Sequence, residues 1–214
     1  MKFALSLFFL SLTLCSLAQD DESLPDIRNK RENFVKYPKG PIRDDLATFT
    51  LGGVDERIGK SPLQKLPATD YTSNSITWEG GNIKVIITSN RFESSKHKLF
   101  YYHDNKHLVK IDNKPYYGDY GKVPNNGIAS VAVIVDKDTI PFPPTAISDL
   151  YHPEFTYHDG SGTIRTRNGV YLSADKKNIY VYMLNAEAVG NYEVTWIFQD
   201  KKYVGRVVDT GLLK

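Results

Sequence analysis

From about Ala47 onward the chain never keeps a 3.6-residue apolar period for a dozen residues. Instead, short runs rich in Val, Ile, Thr and Tyr alternate with clusters of Gly, Asn, Asp and Pro. That texture excludes a helical bundle or an α/β sheet and points to an all-β sandwich or barrel. The fold expected is an antiparallel β-sandwich of about ten strands with at most one short helix. The best helical stretch is "PPTAISDL" (143–150), one or two turns long, with proline suited to the first turn.

Several hairpins can be placed from their turns. Residues 75–89 turn at Gly80 and Gly81, which both accept positive φ. Residues 129–142 turn near Asp136, residues 163–173 at Asn168 and Gly169, and residues 170–184 between Asp175 and Asn178. The last hairpin, "NYEVTWIFQDKKYVGRVVD" (191–209), turns at Asp200 and Lys201. An uninterrupted register pairs Phe198 with Tyr203, Trp196 with Gly205 and Val194 with Val207. One face is then apolar around Trp196, and Glu193 and Thr195 sit beside Arg206 on the other, as a cross-strand ion pair.

The N-terminus has a different texture. Lys2, the apolar run "FALSLFFLSLTL" (3–14) and the small residues of "SLA" (16–18) read as a signal peptide over residues 1–18, cut near Ala18. The apolar run is too short to span a bilayer. A lipid anchor through Cys15 is the less favoured alternative, because Leu14 stands where that cleavage wants a small side chain. Cys15 is the single cysteine, so the mature chain has no disulfides, no thiol nucleophile and no cysteine ligands. Residues 19–45 are rich in charge and proline and read as an extended or disordered leader, or a strap over the domain. Residues 46–214 form one domain, long enough to bury a core without staples. Against 27 Lys and Arg stand 25 Asp and Glu, a formal charge of +2. That balance gives no footing for nucleic acid.

Three stretches carry chemistry-bearing side chains. "HPEFTYHDG" (152–160) puts His152, Glu154, Thr156 and His158 on one face of a strand. At about 3.3 Å per residue the two histidines are roughly 20 Å apart, too far to share an ion. Only His152 and Glu154, about 7 Å apart, can do so. "KHKLFYYHDNKHLVKID" (96–112) is better placed: a loop over 104–106 sets His103 opposite His107, with Cβ atoms about 5 Å apart. Leu99, Tyr101, Val109 and Ile111 make that face an inward one. The pair could hold a divalent metal such as zinc with a third ligand, or simply be hydrogen-bonded neighbours. "KPYYGDYGKVPNNG" (114–127) is a long connection in which Tyr116, Tyr117 and Tyr120 offer flat rings and hydroxyls to a sugar or a partner. No G-x-S-x-G, H-E-x-x-H, P-loop or G-x-G-x-x-G motif is present.

"GNYEVTWIFQDKKYVGRVVD" (190–209), with "IDNKPYYG" (111–118) and the "SLAQ" end of the signal peptide, resembles a group of small exported β-rich proteins of Gram-negative bacteria. The resemblance implies a β-sandwich in the periplasm or outside the cell and carries over no catalytic residue. The function expected is a non-catalytic binding or interaction module for a glycan, a peptide or an envelope protein. Its site is the Tyr116, Tyr117 and Tyr120 loop, and it has no cofactor. One alternative is a metal-assisted hydrolase using His103 and His107. Another is an inhibitor or structural accessory protein.

Overall fold

The structure is a computed structural model that describes residues 26–28, 37–48, 61–102, 106–119, 121–186 and 190–210. The expected signal peptide, with Cys15, lies outside the described residues. So do His103 and Tyr120.

The strands, in chain order, begin with β1 (Asp26–Arg28), β2 (Gln64–Leu66), β3 (Ala68–Tyr71), β4 (Ser75–Gly80) and β5 (Ile83–Arg91). Next come β6 (Leu99–Tyr101), β7 (Leu108–Ile111), β8 (Asn126–Val135), β9 (Asp138–Thr139) and β10 (Tyr157–His158). The last are β11 (Ile164–Arg165), β12 (Gly169–Leu172), β13 (Asn178–Asn185), β14 (Tyr192–Gln199) and β15 (Lys202–Thr210). Their number exceeds the ten expected because several are only two or three residues long. A six-stranded sheet runs β1-β15-β14-β13-β12-β2 and a five-stranded sheet runs β3-β4-β5-β8-β9. Two hairpins, β6-β7 and β10-β11, stand apart. All pairings are antiparallel except β1 with β15. The fold is therefore an all-β antiparallel sandwich. No described helix is long and apolar enough to cross a membrane.

The core lies between the two sheets. Ile76, Trp78, Val85, Ile87 and Val133 of the five-stranded sheet meet Val181, Met183, Val194, Trp196 and Phe198 of the six-stranded one. β5 alternates buried and half-buried residues over its first six positions, the mark of a strand covered on one face. β13 and β14 are buried on both faces, so "NIYVYMLN" and "YEVTWIF" read as nearly unbroken apolar runs. Their outer face is covered in part by residues 37–48, which overlap the stretch 19–45 expected as a leader. Tyr37 and Leu46 pack there on Tyr180, Ile197 and Val207, and the Tyr180 hydroxyl donates to Asp45 at 2.6 Å. This segment contains the α-helix of the described residues, α1 (Pro41–Leu46), with proline in its first turn.

The helix expected over 143–150 is a single 3-10 turn, Pro144–Ala146. The reason is tertiary. The Ala146 carbonyl accepts from Trp196 Nε1 at 2.9 Å and Arg206 Nη1 at 3.0 Å, so it is taken from any helical ladder.

The C-terminal hairpin turns where expected, with Asp200 and Lys201 both at positive φ, but its register is not the uninterrupted one. Phe198 pairs with Tyr203; then a bulge intervenes, and Ile197 pairs with Gly205, Trp196 with Arg206 and Thr195 with Val207. One extra residue reverses which face residues beyond it occupy. Arg206 therefore points into the core, where both its terminal nitrogens reach Asp149 at 2.7 Å. The expected Glu193–Arg206 pair is corrected: the two lie on opposite faces, and the Cα partner of Glu193 is Asp209.

Two other turns also differ. The β4-β5 turn is Gly81 and Asn82, one residue later than expected, since Gly80 pairs with Ile83. Asn82 is held there by Asp136: its amide donates to the carboxylate at 2.8 Å, and its carbonyl accepts the Asp136 N–H. Asn168 and Gly169 make no hairpin. The buried Asn168 amide donates to the Glu154 carbonyl at 2.8 Å and its oxygen accepts Leu184 N–H at 2.9 Å, so it pins a crossing segment while Gly169 begins β12.

Candidate functional site

The loops expected to bind meet at one end of the sandwich. There a small cluster of Leu108, Ile111 and Tyr151 is buried, with Phe92, Leu99 and Tyr116 packed against it. Tyr116 is committed to this packing. Its ring meets Tyr151 edge-on at 5.9 Å. Its hydroxyl faces the carbonyls of Leu108, Asp119 and Lys122 at 3.2–3.3 Å and accepts from Gly121 N–H at 3.1 Å. Tyr117 bonds through its backbone to both Asp149 and Tyr151, and its ring lies 5.9 Å from that of the buried Tyr192. Gly118 follows at φ +86°, and a Cβ there would land on the Tyr151 carbonyl. The two described tyrosines of this loop hold it down rather than project from it.

The hairpin that carries His107 departs from the expected register in its described residues. Leu99 pairs with Ile111 as expected, but a bulge then sets Tyr101 opposite Leu108, and Tyr102 N–H donates to the His107 carbonyl at 2.8 Å. Tyr102 is thus the residue drawn level with His107. Leu108 turns inward and Tyr101 outward, reversing the face assigned to Tyr101. The His107 imidazole lies over Gly121, where a Cβ would collide with it. Among the described residues no group of three or more His, Cys, Asp or Glu side chains converges.

"HPEFTYHDG" is strand only at β10. His152 adopts φ +53° and its Nδ1 lies 2.9 Å from Asp119 Oδ2. Glu154 faces Arg167 at 3.4 Å and accepts Ala186 N–H at 3.3 Å. His158 bonds the Gly162 carbonyl. The three ligand-type side chains therefore turn to three different neighbours, and His152 and Glu154 do not share one face.

A cleft of about 240 Å³ opens beside the small cluster, between residues 90–97 and 147–151. One wall comes from the end of β5, where Asn90 and Arg91 pair with Gly127 and Asn126. Phe92 N–H closes on the Asn125 carbonyl, and a 3-10 turn, Ser94–Lys96, leads to His97. The other wall is Ile147, Ser148, Leu150 and Tyr151, tied to β8 through Ile128 N–H on the Leu150 carbonyl.

His97 is the best-defined polar group of the cleft. Its ring stacks on Phe92 with centroids 4.6 Å apart and 19° between planes. Its Nδ1 lies 2.6 Å from Asp112 Oδ2, and with the carboxylate ionised Nδ1–H is the donor. Asp112 also accepts Lys98 N–H at 2.8 Å. These bonds, that from His97 first, hold its carboxyl below the usual range. Tyr151 does the opposite: burial, with help from the Asp112 and Asp149 charges, pushes its hydroxyl up to about 12. It stays protonated and donates to the Ser148 carbonyl. Among the described residues no hydrogen bond joins His97 to a hydroxyl, so the His97–Asp112 pair has no partnered nucleophile there. Arg91 is exposed and has no ion-pair partner among the described residues. Lys96 reaches Glu93 at 2.9 Å in open solvent.

Neither Arg91 nor His97 stood out in the sequence. The signal for the pair was there, because His97 and Asp112 end the same quoted stretch, "KHKLFYYHDNKHLVKID". Their meeting depends on the hairpin register, which the inner histidines obscured.

Compared with protein-family models, curated proteins and solved structures, the chain matches none.

Proposed function

We propose that this protein is an exported, non-catalytic binding module of the periplasm or cell exterior, and that it holds its ligand in the cleft between residues 90–97 and 147–151. The observation that carries the reading is the convergence of Asn90, Arg91, Lys96, His97 and Ser148 on one open cleft. Its walls are fixed from behind by Tyr151, Phe92 and the His97–Asp112 bond. Loops set on a rigid β scaffold are where such modules bind, and a few placed polar groups in a concave site give orientation and specificity. The reading moves the binding surface away from Tyr116 and Tyr117, whose rings pack against neighbours, as does the Tyr116 hydroxyl. The resemblance to exported β-rich proteins supports the setting, as does the signal-peptide pattern.

The test is an array of glycans and peptides probed with the exported chain and with Ser148→Trp, which fills the cleft from an exposed wall position. Retention by the wild type, lost in Ser148→Trp at an unchanged melting temperature, is the expected result. An array that retains nothing, or retention indifferent to Ser148→Trp, overturns the reading.

A further inference from the structure

We infer that this cleft is a subsite for one acidic sugar, a hexuronate unit whose carboxylate is taken by Arg91. The inference deepens the binding reading and rests on it.

Size comes first. About 240 Å³ lies below the usual range for sites that enclose a drug-sized molecule. It suits a single ring or end group rather than a polymer threaded through.

Charge decides the sign of the ligand. The lining carries Arg91 and Lys96 against Glu93. The Glu93–Lys96 pair is solvent-exposed on both sides, and such pairs hold their partners weakly, so Lys96 can turn to a ligand at little cost. Arg91 is exposed and without an ion pair among the described residues, and its guanidinium presents the planar fork that matches two carboxylate oxygens. The second nitrogen of His97 is left for the ligand, because Nδ1 is occupied by Asp112 and one ring face by Phe92.

The remaining groups decide the kind of ligand. Asn90 offers an amide, Ser148 a hydroxyl and Glu93 a carboxylate. A sugar hydroxyl both donates and accepts, so a ring of hydroxyls can satisfy this mixture. An apolar peptide side chain would leave it unsatisfied. The aromatic residues of the lining, Phe92 and Tyr151, are engaged with each other at 5.3 Å and serve as backing rather than as an apolar pocket.

The experiment is calorimetric titration of the exported chain with methyl glucuronide, methyl glucoside and acetate. The glucuronide is expected to bind, with the neutral glucoside and acetate each about tenfold weaker or more. Added salt weakens the glucuronide selectively. Arg91→Gln brings glucuronide down to the glucoside level, and Arg91→Lys, which keeps charge without the fork, falls between. Both variants keep the wild-type melting temperature, since the replaced side chain is exposed and unpaired. Equal binding of the two sugars overturns the carboxylate assignment, and acetate binding as tight as glucuronide overturns the sugar. Glucuronide binding unchanged in Arg91→Gln overturns the role of Arg91. If the glucuronide does not bind while the array returns another ligand, this inference fails and the binding reading stands. If both are blank, both fail.

Discussion

Arg206 shows how much one side chain depends on its partners. Its side chain is 5% exposed and that of Asp149 11%, and the two are joined through both guanidinium nitrogens. A buried pair of this kind adds little over a well-packed apolar replacement, but removing one member strands the other charge. Asp149→Ala is therefore expected to cost about 3–5 kcal/mol in urea unfolding. The double variant Arg206→Met, Asp149→Leu is expected to recover most of that loss. A single variant as stable as the wild type would remove Arg206 from this role. None of this was legible locally, because Asp149 is 57 positions away and the alternation of the strand placed Arg206 on the other face. Tyr116 teaches the converse. A tyrosine in a Gly-rich loop looks like a binder, and only its four backbone neighbours reveal a hydroxyl used to knot the loop.

The recurring surprise among the strands is the bulge. Two hairpins slipped register by one along their strands, and the β14-β15 one did so just after turning where its residues indicated. Turn chemistry is local, so Asp200 and Lys201 announce themselves. A bulge answers to what the strand must present to the core, so nothing nearby announces it. In β15 the extra residue comes between Tyr203 and Gly205. Deleting Val204 should therefore restore a regular ladder while keeping Arg206 opposite Trp196. The expected loss is about 1 kcal/mol, from the half-buried valine, with the fold intact by circular dichroism. An unfolded deletion variant would mean that residues 206–210 had changed faces, and that the bulge lies elsewhere. The β6-β7 slip draws Tyr102 level with His107, while Leu99 and Ile111, on the side of His97 and Asp112, keep the expected register.

Both faces of β13 and β14 are buried, and tyrosines sit on each. Burial pushes the Tyr37 and Tyr151 hydroxyls up to about 12 and those of Tyr180 and Tyr192 higher, with the Asp45 bond adding to the shift at Tyr180. A raised folded value means that the unfolded chain loses the proton first. The stability they contribute is intact below about pH 10, the unfolded value, and drains away as pH climbs towards 12. Titration followed by tyrosinate absorbance should show the exposed members of the 14 tyrosines ionising near pH 10. The buried ones should follow only with loss of the circular dichroism signal. All ionising together at pH 10 with the fold intact would contradict this.

The fold class could be read in advance because side-chain alternation and turn residues are properties of neighbours in sequence. The double burial of β14 was not read in this way, because Glu193 and Thr195 mark its second face as polar and yet are buried. The face assignments past each bulge, the helix at Pro41–Leu46 in place of one near Pro144, and the cleft beside His97 were not readable in this way. Each depends on contacts between distant residues: Ala146 with Trp196 and Arg206, Asp45 with Tyr180, Leu150 with Ile128. Such contacts exist only once the sheets have packed, and packing chooses among registers that local preference leaves nearly equal.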